Sequence, residues 1–329
     1  MRQTKNDKGI QIRRRVKAFF GRWIGLRHSW WRFVKNANCD YYESQPRFIY
    51  VLTSNYHVIE KCLAMPNFEP GHGEERVEVV VGDLFKYREL GFDLQHPQYI
   101  AAMQAVQEYD EVHKKLGYAL PAGLQNDIDR LLEGTNIPEH HQPKVTSKEF
   151  FAHLNGTFED FARSRHSVRA YSDKNISIET IRAVVDLART TPTACNRQPN
   201  KTYVVGDKEL IKKVATLQGG GRGFVEDANK LFIVTSAVEA FGNNEYNEVF
   251  KAGGMHAMNL LYALHAYQIG ACALNWKGEK KTDVKLRALL GIPDNEEVII
   301  VIAAGYPPEE FKYVQSERNN VEESLIIVR

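Results

Sequence analysis

The second half of the chain alternates between short apolar runs and segments with helical spacing. Apolar and β-branched residues fill the runs that predict strands, at 201–206, 231–237, 271–276 and 298–304. Between them, apolar positions recur every three or four residues and predict helices at 177–190, 207–217, 246–268 and 282–290. Ser177 and Asp207 stand where two of these helices would begin, and both residue types favour the N-cap. The pattern therefore predicts an α+β or α/β core.

The first half of the chain is predicted to be helical. Helical patterns lie at 50–63, 77–87, 97–116 and 124–132, with Pro and Gly between them. The polar stretch 137–143 contains two prolines and indicates a linker. We therefore divide the chain into a basic amphipathic arm at 1–35, a helical region at 36–145 and a second domain at 146–329.

Positive charge is concentrated in the arm. Residues 1–35 contain eleven Lys and Arg and one acidic residue, a local charge of +10 that leaves −8 for the rest of a chain whose total is +2. Apolar residues, three tryptophans among them, recur near helical spacing, although Gly21 and Gly25 disfavour a helix. The arm is thus predicted to be a basic amphipathic helix.

Three partners suit such a helix. Docking onto the protein's own helical region is favoured, because a stripe of this kind most often covers its own protein. An anionic membrane surface is the alternative favoured by the tryptophans, and nucleic acid, the less expected partner, is favoured by charge alone. The sequence contains no apolar run long enough to span a membrane. We expect a cytoplasmic protein, with peripheral binding to the inner membrane surface as the alternative.

The overall composition is that of a folded protein, with 43% apolar and 26% charged residues. The four cysteines, Cys39, Cys62, Cys195 and Cys272, form no Cys-x-x-Cys pair and have no histidine at ligand spacing. The sequence therefore predicts neither a metal site nor a disulfide framework. For Cys195 the expected role is that of a small buried filler.

A cluster of polar residues precedes the helix that begins near Ser177. Arg165, His166, Ser167 and Arg169 place two guanidiniums, an imidazole and a hydroxyl within five positions. Arginine forks match phosphate oxygens, and a hydroxyl can complete the site without adding charge. The cluster therefore indicates an anion site, although short runs of this kind also occur on solvated surfaces.

A second motif follows the helix at 177–190. Pro192, Thr193, Asn196 and Gln198 belong to a polar turn that reads Pro-Thr-x-x-Asn-x-Gln-Pro. This order, Arg-His-Ser-x-Arg-x-Tyr, a helix and then the turn, resembles the FMN-dependent nitroreductase family over about residues 155–329. The usual family turn has Ser in place of Thr193 and Trp in place of Asn200. The run at 57–66 in the helical region resembles an N-terminal extension found in a branch of nitroreductase-like proteins, where a Gly usually stands at the position of Cys62.

The resemblance implies a three-layer fold with a central mixed sheet flanked by helices, and a homodimer that holds two FMN molecules at its interface. It assigns Arg165 and Ser167 to the FMN phosphate and Arg169 to the pyrimidine edge of the ring as a charge stabiliser. A late basic residue of the tail would also reach the phosphate, and we prefer Arg318 to Lys312. The complete set of implied FMN contacts is Arg165, His166, Ser167, Arg169, Pro192, Thr193, Asn196, Gln198, Leu274, Asn275, Trp276 and Arg318.

The resemblance also implies an enzyme. We expect an FMN-dependent oxidoreductase that takes electrons from NAD(P)H and transfers them to a small organic substrate in a ping-pong cycle; flavin-mediated oxidation of the substrate is the reverse possibility. The resemblance names no catalytic side chain other than the charge stabiliser Arg169. The alternative is a non-enzymatic protein in which the flavin fold is a scaffold and the helical region binds a partner. Turnover with NAD(P)H separates the two.

Overall fold

The computed structural model describes residues 2–37, 41–138, 140–242 and 245–328; in the first range, side chains are described at 11–13, 15–17, 19–21, 23 and 26–37. Within these ranges the chain forms two compact units. Unit 1 contains residues 1–37 and 171–306, and unit 2 contains residues 38–170 and 307–329. Both units are therefore built from two separate stretches of chain.

The core of unit 1 is a four-stranded sheet with the strand order β2-β3-β5-β4. Its strands lie at the four apolar runs, and their bounds are Asn200–Val205 for β2, Lys230–Ala237 for β3, Gly270–Asn275 for β4 and Glu296–Gly305 for β5. Each of the three strand pairs is antiparallel. The prediction of a mixed sheet is therefore wrong, since these pairs include no parallel one. The sequence could not show this, because strands joined through a helix can pair in either direction.

Helices alternate with these strands, as predicted. Their bounds are Ile178–Ala188 for α8, Lys208–Gln218 for α9, Glu248–Ala266 for α10 and Lys280–Leu290 for α11. Ser177 and Asp207 are the N-caps of α8 and α9, and each accepts a hydrogen bond from the backbone three residues on. The α+β class predicted from the sequence is confirmed.

Helix α10 packs closely against the sheet of unit 1. Leu260 and Leu264 of α10 join Phe232 and Ile302 of the sheet in one buried cluster. A side chain at Gly253 would place its Cβ 2.4 Å from Ile299 Cγ1, so glycine is required where the helix approaches β5. The long helix is therefore held at a fixed distance from the central strands.

Unit 2 contains the helical region. Its four long helices span Gln45–Leu63 for α2, Glu74–Glu89 for α3, Pro97–Lys115 for α4 and Ala122–Leu132 for α5. Their apolar faces form one core, in which Phe48, Leu84, Tyr87 and Tyr109 are fully buried. Glycine or proline lies in each connection between them, as the sequence predicted.

The end of the chain is also part of unit 2. Strand β1, Lys144–Thr146, pairs antiparallel with β6, Glu310–Lys312. Two short helices follow β1, α6 at Ser147–Phe150 and α7 at Phe158–Ser164. Residues 146–170 and the tail therefore group with the helical region, whereas the sequence division assigned them to the domain at 146–329.

The arm forms one continuous helix, α1, from Arg2 to Asn36. The predicted helix therefore runs through Gly21 and Gly25. Among the described residues, neither α1 nor any later helix combines the length and apolar character that crossing a bilayer requires.

Candidate functional site

The predicted phosphate residues of unit 2 follow the end of α7. Arg165 is the C-cap of this helix, and its backbone is extended, with φ −75° and ψ 111°. The ring of His166 packs against that of Tyr313 at a tilt of 38°, with centroids 4.4 Å apart, and both line a cavity of about 330 Å³. Arg169 is buried, with 8% of its surface exposed, and Ser167 is half-buried. The cluster is thus an ordered, partly enclosed surface.

A distant part of the sequence contributes another cation. Burial lowers the pKa of His166, the charges of Arg165 and Arg318 lower it further, and hydrogen bonds with the backbone of Val314 and Arg163 oppose the shift. Arg318 is therefore close enough to act on His166. Arg165 and Arg318, two permanently charged groups, thus act together on the ring of His166, an arrangement that suits an anion.

The competing tail residue has another role. Lys312 donates from Nζ to the carbonyl of Leu63, at 3.4 Å, near the end of α2. A lysine at the C-terminal end of a helix is favourably placed to bond the last carbonyls. Arg318 Nη1 in turn donates to the carbonyl of Ser316 at 2.7 Å, so both candidates make a backbone contact and the choice of Arg318 stays a prediction.

The helical region fixes the tail next to Arg318. Gln98 of α4 is buried, and its Nε2 donates to the carbonyl of Glu317 at 3.1 Å. Its Oε1 accepts from Thr53 and from Tyr56, both on α2. Sequence reasoning missed Gln98 and Tyr313, because a lone glutamine in a helix and a tyrosine in a tail carry no motif.

We predict that Gln98→Ala loosens the tail. The change leaves the Glu317 carbonyl without its amide donor and two hydroxyls without their acceptor, at a cost of about 1–3 kcal/mol. Urea unfolding should show this loss of stability, and amide exchange should rise at residues 316–319. Gln107→Ala is the matched control on the same helix, since Gln107 bonds Glu111 one turn away. Equal exchange in both variants would contradict the tail-anchoring role.

The predicted turn of unit 1 has an unusual backbone. Cys195, Asn196 and Gln198 have φ values of 54°, 53° and 51°, in the left-handed region that non-glycine residues rarely adopt. Thr193 stabilises the turn, because its hydroxyl accepts from the backbone N–H of Gln198 at 3.0 Å. Strained backbone of this kind is concentrated at functional sites. Cys195 is exposed, so its predicted role as a buried filler is wrong.

An ion pair that the sequence analysis missed anchors the same turn. Arg197 donates from Nη1 to both carboxylate oxygens of Glu245, at 2.9 and 3.0 Å. Glu245 also accepts from the backbone N–H of Gly242 at 2.7 Å. Because Arg197 is held in this way, Asn196 and Gln198 on either side of it remain exposed. Pro192 at the start of the turn is exposed too.

Two buried polar atoms lie where this turn enters the sheet. Asn200 and Ser236 are partners on β2 and β3. In the part of the chain that the structure describes, Asn200 Oδ1 and Ser236 Oγ have no hydrogen-bond partner. Buried polar atoms are normally satisfied by protein, water or a ligand. The position next to the turn therefore suits a polar ligand or an ordered water.

The third predicted segment lies at the end of β4. Leu274 and Trp276 are buried, and Asn275 is exposed between them. The carbonyl of Asn275 accepts from Gln218 Nε2 at 2.9 Å. Since β4 is an edge strand, alternate N–H groups of its backbone point away from β5. The assignment of residues 274–276 to the flavin ring stays a prediction.

Comparison with known proteins identifies the class to which this fold and these residues belong. Residues 162–221 match the model of the nitroreductase family. Over 154 residues the chain is 31% identical to a candidate NADH dehydrogenase/NAD(P)H nitroreductase of Archaeoglobus fulgidus, an alignment that covers 47% of this chain and 87% of that protein. The chain belongs to the nitroreductase family and is an oxidoreductase of that family. The prediction made from the two motifs is confirmed.

Other similar proteins extend the comparison. The chain is 24% identical over 225 residues to iodotyrosine deiodinase 1 of Mus musculus, covering 59% of this chain and 74% of that protein. A crystal structure of a candidate nitroreductase from Desulfovibrio desulfuricans in complex with FMN aligns with 26% identity and a TM-score of 0.45. That alignment covers 53% of this chain and 98% of the other.

Proposed function

We propose that the protein is an FMN-dependent oxidoreductase that uses NAD(P)H. The observation that carries the proposal is the contact of the tail with the cluster at 165–169: the ring of Tyr313 lies 4.4 Å from that of His166, and Arg318 follows five positions later. When bound, FMN would supply hydride transfer from NAD(P)H to a second substrate, and the two substrates would react in turn.

The side chains of unit 2 suit the phosphate and the charge of such a cofactor. Arg165 and Arg318 offer guanidinium forks, and Ser167 adds a hydroxyl donor. The lowered pKa of His166 keeps its ring neutral near pH 7, so it can donate one hydrogen bond without adding a charge. Arg169 is a buried, permanently charged group and would stabilise negative charge that develops at the pyrimidine edge.

Unit 1 supplies neutral donors and acceptors. Thr193, Asn196 and Gln198 present a hydroxyl and two amides from a turn whose strained backbone is fixed by Arg197. Such groups suit the hydroxyls of a ribityl chain. The edge of β4 adds the backbone N–H groups of residues 274–276, which suit the ring. The groups of unit 1 are thus assigned to the ribityl chain and the ring of the cofactor.

We further propose a homodimer. Helix α10 exposes Phe250, Met255 and Met258 while its other face is buried against the sheet. Exposed apolar residues on a long, well-fixed helix are typical of a subunit interface. The homodimer implied by the family resemblance would cover this face.

A second candidate reaction is the reductive dehalogenation of an iodinated aromatic substrate. The observation that favours it is the deiodinase alignment, which covers more of this chain than the nitroreductase alignment. In that reaction the ring carbon loses iodide and gains hydrogen, and the two electrons come from NAD(P)H. Nitroaromatic reduction needs the same donor but produces no halide.

One set of assays tests these proposals. We expect the purified protein to be yellow and to release FMN, not FAD, on denaturation. NADH and NADPH oxidation should then depend on an electron-poor acceptor, and nitroaromatic and iodotyrosine acceptors should be compared by product analysis and iodide release. Bound FMN without turnover on any acceptor would support the scaffold alternative. Release of no flavin from a folded protein would contradict the cofactor assignment itself.

A further inference from the structure

Helix α1 has no place in the proposed chemistry, but its surface is distinctive. Its apolar side chains remain exposed in the folded chain, with Phe19 at 64% and Trp30 at 60%. Ile12, Val16 and Trp23 are exposed as well. An apolar surface of this length is normally covered by another molecule.

The exposed apolar residues share one face of the helix. At 3.6 residues per turn, Ile12, Phe19, Trp23 and Trp30 fall within about 40° of one another, and the whole apolar face spans about 160°. Lys17, Arg32 and Lys35 fall on the opposite face and are exposed. Arg13, Arg15 and Arg27 lie at the edges of the apolar sector or inside it, so the helix is two-sided apart from these arginines.

Charge selects among the molecules that could cover this face. Residues 8–39 contain no Asp or Glu, and the helix has no acidic residue in its first turn. Basic residues on the polar face with Trp, Phe and Leu on the apolar face are characteristic of helices that lie in a membrane interface. Nucleic acid would use the charge but leave the aromatic face exposed to water.

We propose that α1 lies flat on an anionic lipid bilayer, with its apolar face in the interface and its basic residues near the headgroups. Trp rings suit this depth because one end of the indole is polar. Arg27, which stacks on Trp23 at 5.2 Å, would bring its charge to the headgroup level. The proposal does not depend on the cofactor of the protein.

A neighbouring groove extends the apolar surface. Trp23, Leu26, Trp30 and Phe33 line a cavity of about 580 Å³ that Tyr246 closes on one side. The ring of Tyr246 contacts that of Phe250, with centroids 5.5 Å apart, and both are exposed. The lipid-facing surface would therefore continue from α1 to Tyr246 and end there, since Phe250 belongs to the face that the proposed homodimer covers.

Vesicle flotation with the full-length protein tests the proposal. We expect flotation with vesicles of equal parts phosphatidylcholine and phosphatidylserine, little with phosphatidylcholine alone, and release at high salt. Arg13→Glu combined with Lys17→Glu should weaken partitioning at least tenfold, as should Phe19→Ser combined with Trp23→Ser. The matched control is Lys281→Glu with Lys285→Glu, on exposed positions of α11, which should float like the parent.

Three outcomes would overturn the proposal. The first is a parent protein that stays with the solvent fraction in both vesicle types. The second is α1 variants that float normally but sediment as a smaller species, which would show that a second copy of the chain covers the helix. The third is salt-sensitive binding to a DNA duplex that is lost in the charge variant while vesicle binding is absent.

Discussion

Replacing Arg165 by Ala is expected to weaken FMN binding at least tenfold. The guanidinium would make charge-assisted hydrogen bonds to a phosphate, and each bond of this kind contributes about 1.5–3 kcal/mol. Loss of one positive charge should also raise the pKa of His166, because the charge of Arg165 is one cause of its lowering. Flavin titration gives the affinity, and histidine NMR gives the pKa.

Arg130 provides the matched control. It is an exposed arginine of the helical region, and its Nη1 bonds Asp127 at 3.0 Å on the surface of α5. Arg130→Ala should leave FMN affinity unchanged, since an exposed pair of this kind contributes little. Equal loss of affinity in both variants would mean that Arg165 has no specific contact. Full affinity in Arg165→Ala would contradict the phosphate assignment.

Replacing Glu296 by Ala is expected to destabilise the protein by on the order of 3 kcal/mol. The carboxylate is buried at the start of β5 and forms an ion pair with Lys201. It also accepts hydrogen bonds from Tyr203 at 3.0 Å and from Thr235 at 2.6 Å. Its removal leaves the fully buried Thr235 hydroxyl without an acceptor. The difference in urea unfolding midpoint between the parent and Glu296→Ala measures this loss of stability.

The pH dependence of this effect has a definite sign. Burial alone would raise the pKa of Glu296, but the hydrogen bonds from Lys201, Thr235 and Tyr203 outweigh it, and the pKa lies below its ordinary value. The stabilisation is therefore present above the unfolded-state pKa of about 4.3 and is lost as the pH falls through the lower folded-state pKa. The difference between parent and Glu296→Ala should shrink in that acidic range.

The neighbouring glutamate behaves in the opposite way and serves as a control. Burial raises the pKa of Glu297, Arg287 opposes the shift and Asp283 adds to it. A raised carboxyl pKa destabilises the folded state at neutral pH, and this cost disappears in acid. Glu297→Gln should therefore be neutral or stabilising at pH 7. A large loss of stability in Glu297→Gln would show that any substitution in this region destabilises the protein, whatever charge it removes.

The sequence predicted those parts of the fold in which one local pattern fixes one element. The apolar run at 298–304 lies within β5, and Ser177 and Asp207 cap their helices as expected. Strand direction was not predictable, because the alternation of strands and helices is compatible with both parallel and antiparallel pairing. The left-handed backbone at Asn196 and Gln198 could not be predicted from the sequence either, because neither residue is a glycine.

The candidate site could be predicted only as separate motifs. Arg165 and Thr193 were found because their neighbours resemble a family pattern. Gln98 was not found, because its contribution is a contact with Glu317 from a distant part of the chain. Contacts of this kind depend on the tertiary structure, and no spacing along one helix indicates them.

The pairing of β1 with β6 has a consequence for synthesis of the chain. Ser147, directly after β1, donates to the carbonyl of Pro308, which is 161 positions later. At a translation rate of about 5–20 residues per second, β1 leaves the ribosome roughly 10–30 s before its partner strand exists. During that interval the edge of β1 and the binding surface for the tail are uncovered. The helical region therefore has to stay soluble on the ribosome while the second half of the chain is made.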